Sequence, residues 1–552
     1  MTLKNISTIY KILFIVISVI FNTGAQTLSP RPTQSIEPYL DLKFTDAERD
    51  SLLDNLKEFQ ESYKAMHTYF LNNSVSPALV FDPLPHGFQP NEKQTSIQWS
   101  LPQDVSLPAN REELAFYPVY KLATLIKNKK ITSVELTKLY LTRLKKFGDT
   151  LQCVITLMEE AALQQAKKAD QEIATGKYRG PLHGIPYGIK DLLSVEGTKT
   201  TWGATPYKDQ TINTTATVVK KLNDAGAVFV VKLTMGALAW GDIWYGGVTK
   251  NPWNLKQGSS GSSAGSASAT GAGLVGFSIG TETLGSIVSP STRCGVTGLR
   301  PTFGRVSRHG AMALSWSMDK IGPICRSALD CGIVLETIRG SDGYDKSVKS
   351  AAFNYDSNVG IKKLKVGYLK SLFESKYNNR ANDSIALNVL RSLGVQLQPV
   401  ELSIDLPVNA LSVILSAEAA AAFDELTRSN RDSLLTVQRK QAWPNEFRSS
   451  RFIPAVEYIN ANRIRQQLIE RYHALTKGYD VIIAPSFGGN QLLTTNLTGH
   501  PCLVMPNGFN NEGNPTSISF LGKLFGEAEL VELGRAYQEA SEWDEKQPEL
   551  FK

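Results

Sequence analysis

Apolar positions along the chain recur at two periods, and the alternation between them sets out an α/β layering. Helical spacing begins after Thr45-Asp46-Ala47-Glu48, a capping-box sequence, with Leu52, Leu53, Leu56, Phe59, Tyr63, Met66 and Phe70. This stripe is expected to pack on the main body. A second helix is predicted from Thr132-Ser133, carrying Val134, Leu136, Leu139, Tyr140, Leu141 and Leu144, and a third from Ala161 to Ala174, ending at Gly176. Short apolar runs of strand character occur at Val228–Val231, Leu274–Ile279 and Val481–Ala484. Between 72 and 110, Pro77, Pro83, Pro85, Pro90, Pro102 and Pro108 interrupt both periods and predict irregular backbone. No internal repeat is visible.

The first residues read differently. Lys4 and Lys11 precede Ile12–Phe21, apolar except for Ser18, and Thr23-Gly24-Ala25 follows. Charge, a short apolar core and small residues in that order predict a signal peptide over 1–25 and an exported protein, periplasmic or secreted. The run is short for a membrane span, so no span is expected after cleavage, an uncleaved anchor being the alternative. The domain organisation expected is a signal at 1–25, a helical and irregular extension at 26–115, and a catalytic domain at 116–552.

Composition narrows the classes. The 552 residues are 42% hydrophobic and 20% charged, with a formal charge of +7, as in an ordinary globular protein. No run of five basic residues and no basic stripe interleaved with aromatics is present, which excludes a nucleic-acid partner. Cys153, Cys294, Cys325, Cys331 and Cys502 are few, odd in number and mostly far apart. Buried thiols fit better than a disulfide framework, although Cys325 and Cys331 are close enough in sequence to pair. The six histidines form no zinc-binding spacing, so no metal is expected.

Chemistry concentrates between Gly258 and Pro301. Gly and Ser dominate up to Gly273, an apolar run follows, and small residues return at Gly280, Thr281, Gly285 and Ser286. A linker would not be embedded in this way; such density lets backbone approach backbone or substrate and frees N–H groups for an anion. Upstream, Lys190 lies within the apolar Gly184–Leu193 segment. Burial lowers a lysine's pKa and makes it a candidate general base. Read singly, Lys190 pairs with Asp191 or reaches solvent, and the serines are turn residues. Read together, they offer a Ser–Lys system in which a serine attacks a carbonyl and N–H groups near Thr283–Ser286 hold the oxyanion. Gly261-Ser262-Ser263-Ala264-Gly265 also matches the G-x-S-x-G elbow, with His309, His473 and His500 downstream. That elbow needs a strand directly before it, whereas Asn251–Gln257 reads as a turn.

These residues, in chain order, resemble the amidase signature family. The resemblance rests on Gly184–Asp191, the Gly-Ser-Ser block, Gly280–Ile287, Cys294–Thr302, Gly304–Ser307, Leu497–Pro501 with Val504–Pro506, and Leu521–Phe525, across roughly 116 to 540. It implies an α/β fold with a single large mixed β-sheet sandwiched between helices, beyond an N-terminal helical extension. It also implies cofactor-free hydrolysis of a small-molecule or peptide amide by a serine amidohydrolase. By the family's spacing, the bridging serine lies two dozen residues before the nucleophile, which selects Ser262 over Ser259. Lys190 carries over as base, Ser262 as bridge after a cis peptide, and Ser286 as the acyl-forming nucleophile. The N–H groups of Thr283, Leu284, Gly285 and Ser286 carry over as the oxyanion hole.

Departures from the family pattern are Ala264 and Leu284 where glycine is usual, Glu282 for aspartate, and Val288 where arginine is expected. They put the substrate in doubt more than the chemistry. Substrate choice is expected to lie in 345–480 and 26–115. Two other readings stay open: the amidase subunit of a tRNA-dependent amidotransferase, and a non-catalytic binding protein on the same scaffold. Oligomeric state is not legible.

Overall fold

The computed structural model describes residues 34–68 and 70–552; the signal segment expected at 1–25 lies outside them. Contacts divide the chain into two units, one up to Leu71 and one from Asn72. The first contains helix α1 (Asp46–His67), which opens with the capping box that its sequence predicts: Thr45 and Glu48 each bind the other's backbone N–H. Arg49 clamps Glu37 at 2.7 Å. Along its apolar stripe Leu52, Leu53 and Leu56 are half-buried, while Phe59, Tyr63 and Met66 stand exposed.

The second unit begins earlier than the expected boundary at 116. Residues 72–110 have no repeating hydrogen-bond pattern to hold them, so individual side chains do so. Gln94 bonds Phe353, Trp99 stacks on Tyr355 at 5.0 Å, and Gln98 forms a parallel bridge with Asp356. The irregular stretch therefore belongs with the catalytic body.

Eleven strands build one sheet: β1 (Val154–Leu157), β2 (Pro186–Lys190), β3 (Val228–Leu233), β4 (Phe277–Glu282), β5 (Thr297–Arg300), β6 (Lys320–Cys325), β7 (Val366–Leu369), β8 (Leu397–Val400), β9 (Val481–Pro485), β10 (Cys502–Phe509) and β11 (Pro515–Gly522). Their order is β1-β3-β2-β4-β6-β5-β10-β11-β9-β7-β8. Pairing is parallel for β3-β2-β4 and for β9-β7-β8, and antiparallel elsewhere. The sheet is thus mixed, with helices flanking it, as the sequence resemblance implies. Residues of β2, β3, β4 and β6 are buried throughout, which explains runs that are apolar rather than alternating.

Helix α2 (Ser133–Leu151) starts with a second capping box, Thr132 with Glu135, and α3 (Glu159–Ala174) follows β1. The apolar run Leu274–Ile279 is only partly strand. Leu274 N–H closes the end of helix α4 (Ala264–Gly271) on Ala269 O, so β4 starts at Phe277. The five cysteines are buried free thiols. Among the described residues no helix is long and apolar enough to cross a membrane.

Thr132→Ala removes the cap of α2. It should destabilise the protein by about 1 kcal/mol, seen as a lower midpoint of thermal unfolding, whereas Thr132→Ser should leave the midpoint nearly unchanged.

Candidate active site

Parallel strands β2 and β4 lie side by side, and their carboxyl ends deliver Lys190 and the Thr283–Ser286 turn to the same end of the sheet. Crevices at the carboxyl ends of adjoining parallel strands are where α/β sheets place ligands. Lys190 is fully buried. Its Nζ donates to Ser262 Oγ at 2.8 Å, Thr281 Oγ1 at 2.9 Å and Ser263 Oγ at 3.2 Å. All three partners are neutral hydroxyls. Desolvation therefore dominates over the more distant carboxylates of Asp319 and Glu282, and the lysine's pKa falls to about 7. The pairing of Lys190 with Asp191 does not occur. Asp191 is taken by Lys232 at 2.8 Å and by Thr201.

Ser262 precedes α4 and follows a cis Gly261–Ser262 peptide. Gly261 admits no side chain, since a Cβ there would stand 1.8 Å from Gly241 O. Ser259 is not at the site; its hydroxyl donates to Ser260 O. Ser263, the alternative elbow serine, accepts from Thr281 N and donates to Thr281 O, and no histidine bonds it among the described residues. Asn254–Gly258, read as part of a turn, is instead a strand of a small two-stranded ribbon outside the main sheet. The elbow context is still missing.

Ser286 lies within the turn, 8% exposed, and its backbone O accepts from Ser263 N at 3.2 Å. That bond joins the nucleophile candidate's turn to the serine block. Gly285 has φ +82°, a left-handed conformation that suits glycine. Among the described residues the N–H groups of Thr283, Leu284, Gly285 and Ser286 donate to no protein acceptor. Leu284 is half-buried beside them.

Two of the substituted positions, Glu282 and Val288, have clear packing partners. Glu282, at the end of β4, accepts from Ile287 N at 2.8 Å and Val288 N at 3.0 Å through one oxygen. The other oxygen accepts from Arg300 at 2.8 Å and Asn496 at 2.9 Å. Burial opposes its charge, but Arg300 and the Val288 N–H outweigh that and hold its pKa near 2. The guanidinium that faces Glu282 is that of Arg300, at the end of β5. Val288 instead packs with Ile482, Cys502 and Val504. Lys320 stands opposite Glu282 in register, with Nζ donating to Met318 O; burial, and then the charge of Arg300, push its pKa well down.

Sequence reading missed Thr281, Arg300, Asn496 and Asp319 as members of this site. Asp319 accepts from Thr283 Oγ1 at 2.6 Å and from the N–H groups of Leu314 and Ser315. Thr281 and Arg300 fall inside the quoted motifs, but nothing in the sequence signals Asp319. Among the described residues no group of three His, Cys, Asp or Glu side chains is arranged to hold a metal ion.

Residues 135–493 match the sequence profile of the family described as Amidase. The chain belongs to the amidase family. Its curated relatives include a glutamyl-tRNA(Gln) amidotransferase subunit of Marinomonas sp. (strain MWYL1), 33% identical over 479 residues, covering 78% of this chain and 98% of the relative. The corresponding protein of Roseiflexus sp. (strain RS-1) is 32% identical, covering 76% of this chain and 95% of the relative. Among solved structures, the native peptide amidase of Stenotrophomonas maltophilia is 28% identical with a TM-score of 0.69, covering 78% of this chain and 98% of that one. That TM-score shows that the peptide amidase and this chain have the same fold.

Arg300→Met strips the buried Glu282 of its counter-charge and should cost roughly 3–5 kcal/mol. The double variant Glu282→Gln/Arg300→Met should recover part of that loss. Thermal unfolding of the two variants tests this non-additivity.

Proposed function

We propose that this amidase-family enzyme hydrolyses carboxylic amides through an acyl-enzyme on Ser286, with Ser262 and Lys190 as its proton relay. The observation that carries the reading is the 2.8 Å contact between Ser262 Oγ and a buried lysine whose pKa lies near 7. A lysine of that kind is substantially neutral at physiological pH and so is a competent base. Ser286 Oγ attacks the amide carbonyl as its proton passes to Ser262 and the Ser262 proton passes to Lys190 Nζ. The tetrahedral oxyanion is held by the N–H groups of Thr283, Leu284, Gly285 and Ser286. The C–N bond breaks as the proton returns through Ser262 to the leaving nitrogen, giving free amine and acyl-Ser286. Water, deprotonated by the same relay, releases the acid and restores Ser286. Export is part of the proposal and rests on the 1–25 pattern alone; amino-terminal sequencing of the mature protein tests it.

A second reading has a specific observation behind it. The similarity to the amidotransferase relatives spans nearly their whole length. On this reading the same relay would release ammonia from an amide donor for a partner protein. Glutamine as the preferred amide, and co-purification with other subunits, would favour it; turnover of varied amides by the isolated chain favours the hydrolase.

Two measurements test the relay. A fluorophosphonate probe should label Ser286, located by mass spectrometry, with labelling much weakened in Lys190→Ala and Ser262→Ala. An adduct on Ser263, or none on folded protein, would count against the mechanism. The base must be neutral, and protonation below its pKa removes it. kcat/KM should therefore fall about tenfold per pH unit below about pH 7 and level off above it. A profile flat through this range would mean that Lys190 is not the base.

A further inference from the structure

Among the described residues the four N–H groups of Thr283–Ser286 meet no protein acceptor, so the turn that carries them must be held by other bonds. Gly285 in its middle leaves the backbone free to bend. The far end of the turn is held on Glu282 through the N–H groups of Ile287 and Val288, and Ser289 N donates to Gly285 O at 2.8 Å. Ser263 N holds the Ser286 carbonyl from the side. The near end has a different restraint. Thr283 Oγ1 donates to Asp319 Oδ1 at 2.6 Å, a charge-assisted bond and so among the stronger kinds.

Strand pairing brings Asp319 to that place. β6 and β4 run antiparallel with Lys320 opposite Glu282, so the next step along each chain sets residue 319 beside 283. The second Asp319 oxygen accepts from Leu314 N at 2.8 Å and Ser315 N at 2.9 Å, and Asp319 N donates to Ser315 O at 2.9 Å. These bonds close a turn that is itself fastened to two helices. Glu418, on the helix Val413–Ala422, accepts from Ser315 Oγ at 2.5 Å and from both the N–H and the hydroxyl of Ser317. Arg465, on the helix Ala455–Thr476, donates to Ser317 Oγ and O. Asp319 is thus firmly seated before it takes the Thr283 hydroxyl.

We infer that Asp319 is a positioning residue for the oxyanion turn: by holding the Thr283 hydroxyl it fixes the near end, as Glu282 fixes the far end, and keeps the N–H groups between them aimed at the carbonyl oxygen that becomes charged. This rests on the acyl-enzyme reading for Ser286 and adds to it a residue that acts through Thr283. One donor of such a hole is worth about a hundredfold or more in rate, and only while it points at the oxyanion. Releasing one end of the turn therefore costs about tenfold or more in the chemical step, with little effect on binding.

The test uses Thr283→Val, which loses the hydroxyl and keeps the shape, Thr283→Ser, which keeps the hydroxyl, Asp319→Asn, which gives up the charged acceptor, and the double variant Thr283→Val/Asp319→Asn. Each is reacted with a fluorophosphonate probe at about pH 9, where Lys190 is neutral and the Asp319 charge no longer acts through the base. The limiting labelling rate of Ser286 should fall about tenfold or more in Thr283→Val and in Asp319→Asn, while the probe concentration giving half that rate changes by less than about twofold. Thr283→Ser should label at nearly the parent rate. The double variant should be no more than about twofold slower than Thr283→Val, because Asp319 then has nothing left to act through. Unchanged rates in the single variants, or losses that add, would overturn the inference. A second measurement needs no reactive serine. Hydrogen exchange at the bonded amides of Ile287, Val288 and Ser289 should quicken about tenfold or more in Thr283→Val and stay near the parent value in Thr283→Ser. If Ser286 of the parent protein does not label, the hydrolase reading alone fails and exchange decides the rest. Faster exchange in Thr283→Val then supports the clamp, and equal exchange overturns it whatever the labelling.

Discussion

Removing Lys190 from water is the constraint on which the site depends. An ammonium at the end of β2 gains no carboxylate in contact, only the hydroxyls of Ser262, Ser263 and Thr281 and the Thr281 carbonyl. Its charge is therefore expensive and its neutral form accessible. Every neighbouring feature maintains that situation. Asp191, the nearest acid in sequence, is occupied by Lys232, and Glu282 is satisfied by Arg300, Asn496 and two backbone N–H groups. Two carboxylates thus lie close to a lysine without forming an ion pair with it. The sheet supplies the dry surroundings because β2 sits between two parallel partners and is buried along its length.

The meeting of Lys190 with Ser262 was legible because the motifs stand in one chain order and a fixed spacing separates Ser262 from Ser286. So were α2, α3, β3 and β9, whose periodicity is strong. Other parts left no trace. Asn496 reaches Glu282 across 214 positions, and Asp319 reaches Thr283 across 36; which polar residue closes such a contact depends on strand order, which a single sequence does not carry. Residues 72–110 fall with the catalytic body rather than with the extension for a related reason. Proline-rich backbone has no period, and its attachment to the body comes from single contacts such as Asn73 with Ala313 and Trp99 with Tyr355.

Two of the departures from the family pattern meet directly, since the Val288 N–H donates to Glu282. Glu282 is one methylene longer than aspartate and pairs with Arg300, while the Val288 side chain joins an apolar cluster. Leu284 stands apart: it is half-buried beside four N–H groups that have no protein acceptor among the described residues, and nothing else in the site compensates for its bulk.

The Glu282–Arg300 pair has a consequence for how the sheet is assembled. Glu282 ends β4 and Arg300 ends β5, and β6 runs between those two strands. The ion pair is a staple across an intervening strand, so it closes only when three strands are aligned. A slip of one residue in β5 would turn Arg300 to the opposite face. The turn bearing Ser286 would then lose its anchor. The charge of Glu282 is accordingly balanced only once β4, β6 and β5 are all in place.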